Sequence, residues 1–196
     1  MGRWGHTFLR DSALDGWVRI DSKRVYSSDY FGVYIDEVRL PNGERISYDW
    51  FEAPDFCVVV PLRDEKLVMI ENYRYPADGW FLEFPAGHLE KGEDAQDAAK
   101  RELEEETGYT PKELFYLQWY YPTSRSNQRA YVFVARVDKK GKTKREQSEL
   151  QRVKIVSKDY LKRKILSGEV KHGATLVAFA LALFSWLLLG EKIGAR

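Results

Sequence analysis

The chain has 196 residues, 44% of them hydrophobic, with a formal net charge of +1. That is enough apolar material for one ordinary domain with room for a small appendage, and the near-neutral charge argues against a dedicated nucleic-acid binder. A single cysteine, Cys57, excludes an intramolecular disulfide.

The opening Met1-Gly2-Arg3-Trp4-Gly5-His6 lacks the apolar core of a signal peptide, so a cytoplasmic protein is expected. Residues 1 to about 15 are irregular in pattern and read as an arm. From Trp17 to Phe51 the text turns to strands. Arg24–Tyr26 and Phe31–Leu40 are rich in β-branched and aromatic residues; Pro41-Asn42-Gly43 is a turn, and Ile46–Phe51 returns the chain. Trp50 in this hairpin suits an interface or a base-stacking platform, or simply packs its own sheet. Phe56–Pro61 is a continuous apolar run, which reads as a strand buried on both faces, with Cys57 as a small buried hydrophobe. Arg63-Asp64-Glu65 turns the chain into a second strand, Lys66–Glu71. Two short segments follow, Asn72-Tyr73-Arg74-Tyr75-Pro76 and Trp80-Phe81-Leu82-Glu83-Phe84-Pro85-Ala86-Gly87.

The stretch Gly87–Tyr109 is a loop, a helix and a stop. Asp94 is the expected N-cap with Asp97 three residues on, Ala95–Thr107 the helix, and Gly108 the left-handed C-cap. Ala95, Ala99 and Leu103 recur every four residues and form the expected buried stripe. Glu102, Glu105 and Glu106 share another face. Like charges at that spacing repel, and such a face is either a solvated surface or a site for a hard cation with oxygen ligands.

Beyond the helix, Leu114–Tyr121 and Ala130–Val137 read as strands around the polar loop Pro122–Gln128. Lys139–Arg145 is a basic run that leads to Glu146-Gln147-Ser148-Glu149 and the strand Val153–Ser157. Ser157 caps a helix over Asp159–Leu166, closed by Gly168. Ala174–Leu189 is apolar at 14 of 16 positions. Sixteen helical residues reach only about 24 Å against a bilayer core of about 30 Å, so a helix buried on the sheet is expected rather than a membrane span. His6, His88 and His172 make no zinc-ligand spacing with one another or with Cys57.

The spacing of Gly87, Glu93, Arg101, Glu102, Leu103, Glu105, Glu106, Gly108 and Tyr109 resembles the Nudix box. The preceding Tyr-Arg-Tyr-Pro and Glu-Phe-Pro-Ala-Gly phrases resemble the ADP-ribose pyrophosphatase group of that family, and Gly173-Ala174-Thr175-Leu176 is similar to its last helix. The resemblance implies an α/β fold, a Nudix-type α/β/α sandwich with a mixed sheet, preceded by a small N-terminal antiparallel β-sheet. Residues 1–52 would form the N-terminal region and 53–196 the hydrolase domain. It implies Mg²⁺-dependent hydrolysis, with Mn²⁺ as a substitute, of ADP-ribose to AMP and ribose 5-phosphate or of a related nucleoside diphosphate sugar.

On the same basis Glu102 and Glu106 are expected metal ligands, with Glu105 assisting directly or through water and the Ala86 carbonyl adding a further oxygen. Arg101, counted with Glu105 and Glu149 in the catalytic set, pairs with Glu93 to hold the loop on the helix. Arg74, Glu83 and Phe84 are the expected substrate-side residues: Arg74 on the diphosphate, Glu83 on ribose hydroxyls. Glu149, with Glu146 second, is the expected general base. The N-terminal sheet implies a homodimer; no nucleic acid and no membrane are expected as partners. Pro122 falls a little early for the group's pocket loop and lacks its following glycine, so another nucleoside diphosphate derivative, such as a dinucleoside polyphosphate or NADH, stays open. A non-catalytic ADP-ribose sensor is the reading from a different class. The isomerases that share the box need a catalytic cysteine in the pocket, and Cys57 in a buried strand does not supply one.

Overall fold

The computed structural model describes residues 16–140 and 151–189. The chain forms two compact units: one contains the residues up to Asp55 together with Tyr121–Arg129, the other Phe56–Tyr120 and the residues from Ala130 onward.

The first unit is built on a three-stranded antiparallel sheet, β1 (Val18–Ser27), β2 (Gly32–Arg39) and β3 (Arg45–Glu52), in that order. The expected turn joins β2 to β3. Gly43 adopts φ +86° there, and the Asn42 side chain accepts the Glu44 N–H at 3.0 Å. β1 is much longer than the expected Arg24–Tyr26. Within it Asp21-Ser22-Lys23 is polar, and pairing with β2 carries the strand through these residues. Trp50 packs within this sheet: its ring stacks on Tyr34 at 4.6 Å, and its indole N–H donates to Asp36 at 2.9 Å. The stretch Tyr121–Arg129 belongs to the same unit. Phe51 N–H donates to the Arg125 carbonyl at 2.9 Å, and Arg129 N–H donates to the Asp55 carboxylate at 2.6 Å.

The second unit is a mixed sheet of β4 (Phe56–Arg63), β5 (Lys66–Arg74), β6 (Gly79–Glu83), β7 (Ala86–His88), β8 (Tyr109–Tyr120), β9 (Ala130–Lys140) and β10 (Arg152–Ser157). The main path runs β10-β5-β4-β9-β8, while β6 pairs with β5 and β7 with β4. Among the described residues of this sheet, β4 and β9 run parallel and the other strand pairs run antiparallel. Three helices, α1 (Ala95–Thr107), α2 (Lys158–Leu166) and α3 (Gly173–Leu189), cover the two faces.

The two-sided burial expected of β4 is explicit in its alternation. Val58 and Val60 point into one core with Phe84, Leu161, Ala178, Phe179 and Ala182, whereas Cys57 and Val59 point into the other with Ala98, Ala99, Leu103 and Phe133. The layers are therefore α1, sheet, and α2 with α3. The buried stripe of α1 includes Ala98, fully covered, while Ala95 at the first turn is only half-buried. Ala95 still packs against this core, and Ala98, three residues on, shares its face of the helix. Among the described residues no helix is long and apolar enough to cross a membrane, and α3 places Ala178, Phe179 and Ala182 in the core.

Cys57 is wholly covered, and burial pushes its thiol up to about 12. The folded protein is therefore expected to resist a disulfide reagent at pH 8, with one thiol per chain appearing on unfolding. Rapid titration of the folded protein would contradict this burial.

Candidate active site

Helix α1 delivers three carboxylates because both of its ends are fixed. Asp94 accepts the N–H groups of Gln96 and Asp97 at 2.8 and 2.9 Å, and Gly108 turns the chain at φ +75°. The register of Glu102, Glu105 and Glu106 follows from these caps and from Leu103 in the core.

Gly87 on β7 lies directly beneath Glu102. A Cβ placed on Gly87 would sit 2.0 Å from the Glu102 carboxyl carbon, far inside any real contact. The missing side chain is the space that Glu102 fills. Gly87 has no left-handed backbone to serve, so close approach is its physical requirement here.

Arg101 ties the loop, the strand and the helix together. Its guanidinium donates to both oxygens of Glu93 at 2.9 and 2.8 Å and to the His88 carbonyl at 3.0 Å. It also donates to Glu102 at 2.7 Å and Glu105 at 3.2 Å. Such a fork suits arginine and no other side chain. It holds the Glu93 carboxyl below its ordinary range. Glu102 goes the other way: burial pushes it up, and Arg101 only partly pulls it back. Glu106 is oriented from both sides, accepting Ala86 N–H at 2.9 Å on one oxygen and the Gln151 side-chain amide at 2.9 Å on the other.

A second group lies along β5 and β6. Arg74 makes a bidentate pair with Glu83, at 2.9 and 2.6 Å. The Arg74 side chain is 44% exposed and that of Glu83 1%. The enclosed Glu83 carboxylate has the Arg74 guanidinium as its bidentate partner. Phe84, expected on the substrate side, has its ring fully buried in the core against Phe179. Glu149 and Glu146 lie outside the described residues.

Oxygen donors from Glu102, Glu105, Glu106 and the Ala86 carbonyl are the hard ligands Mg²⁺ prefers. Among the described residues, no three His, Cys, Asp or Glu side chains converge closely enough to form a cage for an ion. Mg²⁺ typically uses one or two carboxylates and completes its shell with water and substrate phosphate, and this donor set fits that mode. The Gly87 notch, which seats the Glu102 carboxyl directly against β7, is the structural feature that favours it.

Three residues not singled out from sequence for these contacts appear in the two groups: Gln151 on Glu106, and His172 and Thr175 beside Glu83 and Phe84. Polarity ahead of a strand or at a helix start gave no sign of them, because their partners are far away in the chain.

Residues 53–175 match the NUDIX domain. An ADP-ribose pyrophosphatase of Bacillus subtilis is 34% identical over 182 residues, covering 90% of this chain and 95% of that protein. A methanol dehydrogenase activator of Bacillus methanolicus is 39% identical over 99 residues, which is 50% of this chain and 54% of the relative. Among solved structures, an ADP compounds hydrolase shares the fold with a TM-score of 0.79 at 21% identity, over 89% of this chain and 96% of the other.

Proposed function

The chain belongs to the Nudix family of hydrolases, and from that premise we propose that it hydrolyses the diphosphate of ADP-ribose, or of a closely related nucleoside diphosphate sugar. From ADP-ribose, addition of water across the diphosphate gives AMP and ribose 5-phosphate. The observation that carries the reading is the Arg101-centred array, in which a glycine notch seats Glu102 and two neutral N–H donors aim Glu106. The relative named ADP-ribose pyrophosphatase, similar over nearly its whole length, supports the substrate class.

In this reading Glu102, Glu106, the Ala86 carbonyl and Glu105 hold Mg²⁺, with Mn²⁺ as a substitute. The ion, when bound, neutralises the diphosphate and acidifies a water molecule. Arg74, steadied by Glu83, binds phosphoryl oxygens as charge builds on them. Glu149 takes the proton from the attacking water. Arg101 keeps the loop and the acidic face in register. The exposed apolar residues of the first unit's sheet, among them Ile20, Val25, Tyr26 and Ile35, support a homodimer, and we place the enzyme in the cytoplasm.

Gln151→Ala removes a donor that aims Glu106. Outer-shell partners of metal ligands contribute roughly 10- to 100-fold in affinity. A weakening of that order is expected in Mn²⁺ binding followed by electron paramagnetic resonance, with little change in Tm. Unchanged Mn²⁺ affinity would remove Glu106 or its Gln151 contact from the metal group.

The deciding experiment for the function separates the products after incubation with Mg²⁺ and ADP-ribose, nucleotide sugars, NADH or diadenosine polyphosphates. AMP and ribose 5-phosphate from ADP-ribose, formed well ahead of the other products, is the expected result. Faster cleavage of another compound keeps the hydrolase and moves the substrate. Tight ADP-ribose binding with no cleavage of anything overturns the proposal in favour of a sensor.

A further inference from the structure

Glu83 and the peptide that follows it are both anchored from one place, the start of α3. Thr175, fully buried in the first turn of α3, accepts the Phe84 N–H on its hydroxyl oxygen at 3.1 Å. His172 immediately precedes the helix, where its carbonyl accepts the Leu176 N–H at 3.1 Å, so helix formation itself fixes its backbone. Its Nδ1 lies 3.0 Å from the Thr175 hydroxyl and 3.9 Å from a Glu83 oxygen.

The proton count of this cluster is informative. A hydroxyl has one proton to give and lone pairs to receive with. Thr175 receives from Phe84, so its own proton is available to the Nδ1 of a neutral imidazole. Burial, the largest influence on His172, pushes its pKa down and keeps the ring neutral; Glu83 pulls it up and Arg74 pulls it down again. Arg74, on β5, and Glu83, at the end of β6, are the charged groups acting on the ring.

We propose that His172 and Thr175 are positioning residues for the Arg74–Glu83 pair. Thr175 fixes the Phe84 peptide, and the His172 ring stands beside the Glu83 oxygen that accepts from the Arg74 guanidinium. Glu83, thus immobilised, orients the half-exposed Arg74, whose long flexible side chain would otherwise sample many rotamers. The apolar helix α3 thereby gains a role in substrate binding. The inference rests on the reading of Arg74 as the cation that meets the diphosphate. It involves none of the residues assigned to the metal.

The test measures kcat, KM and Tm of Thr175→Val, Thr175→Ser, His172→Ala and Arg74→Ala, using whichever compound of the panel above the wild type cleaves fastest. Valine matches threonine in shape and lacks only the hydroxyl; serine keeps the hydroxyl. Thr175→Val and His172→Ala are expected to raise KM by roughly 5- to 30-fold, the range for loss of one buried hydrogen bond, with kcat within about twofold. Thr175→Ser should return KM to near the wild-type value. Normal KM in both Thr175→Val and His172→Ala, with Arg74→Ala still raising KM, overturns the inference and spares the reading of Arg74. Equal losses in the valine and serine variants, tracking Tm, assign a purely structural role and also overturn it. Normal KM in Arg74→Ala overturns the substrate reading of Arg74 and this inference with it. Should Thr175→Val fail to fold, His172→Ala against the wild type decides alone.

Discussion

Glu102→Gln is expected to lower turnover of ADP-ribose by roughly 100- to 1,000-fold, the scale on which loss of a group that stabilises transition-state charge is felt. The folded state should survive unharmed. Glutamine has the shape of glutamate, and its amide oxygen can still accept the Arg101 N–H that Glu102 receives at 2.7 Å. Stability is even expected to shift in the variant's favour at neutral pH when metal is absent. The folded-state pKa of Glu102 is raised, chiefly by burial, so its protonated form is the one folding prefers. The stability it contributes is full below the unfolded-state pKa and is lost as pH rises through the folded one. Metal-free wild type should therefore melt slightly below Glu102→Gln at pH 7.5, and the gap should close on acidification towards pH 4. Turnover near the wild-type rate would sink the assignment of Glu102, and a gap that widens in acid would contradict the burial effect.

Gly87→Ala should be nearly as damaging, although it adds only a methyl group. The new Cβ would occupy the place of the Glu102 carboxyl group, with its carbon 2.0 Å away. The obstacle is the end of a flexible side chain rather than backbone, and Gly87 does not need a left-handed conformation. Glu102 can therefore swing aside at modest cost to the fold while leaving the position its chemistry requires. Turnover is expected to fall by roughly 100-fold or more, since small misplacements of reacting groups carry losses of that size. The double variant Gly87→Ala/Glu102→Gln separates this account from a general disturbance of the loop. If alanine acts by displacing Glu102, the two losses do not multiply, and the double variant is about as slow as Glu102→Gln. Multiplying losses would show that Gly87 serves something other than Glu102. A Gly87→Ala enzyme with normal turnover would show that Glu102 need not stand where the structure places it.

Both predictions depend on features that the sequence shows to different degrees. The N-cap Asp94, the helix Ala95–Thr107 and the C-cap Gly108 are legible because capping chemistry and helical period act between neighbours. The double-sided burial of β4 is legible for a similar reason: an unbroken apolar run has no polar face to turn outward. β1 is not legible at its start, since Asp21-Ser22-Lys23 becomes a strand only by pairing with β2.

At the site, the acidic spacing of Glu102, Glu105 and Glu106 and the Arg101–Glu93 pair follow from sequence positions a few residues apart. The enclosure of Glu83 and Phe84 does not. Both residues stand in a segment that reads as substrate-facing, yet both are fully buried, Phe84 in the core it shares with α3. Gln151 on Glu106 and His172 beside Glu83 join residues 45 and 89 positions apart in the chain, and no local pattern records such pairs.

What the sequence determined by itself is the chemistry on offer, a capped helix carrying carboxylates beside a glycine, because caps, helical period and the absence of a Cβ are local properties. The tertiary structure decided which of those groups meet. Distance along the chain carries no charge, burial or hydrogen bond, and these arise only when α1 and α3 close on opposite faces of one sheet.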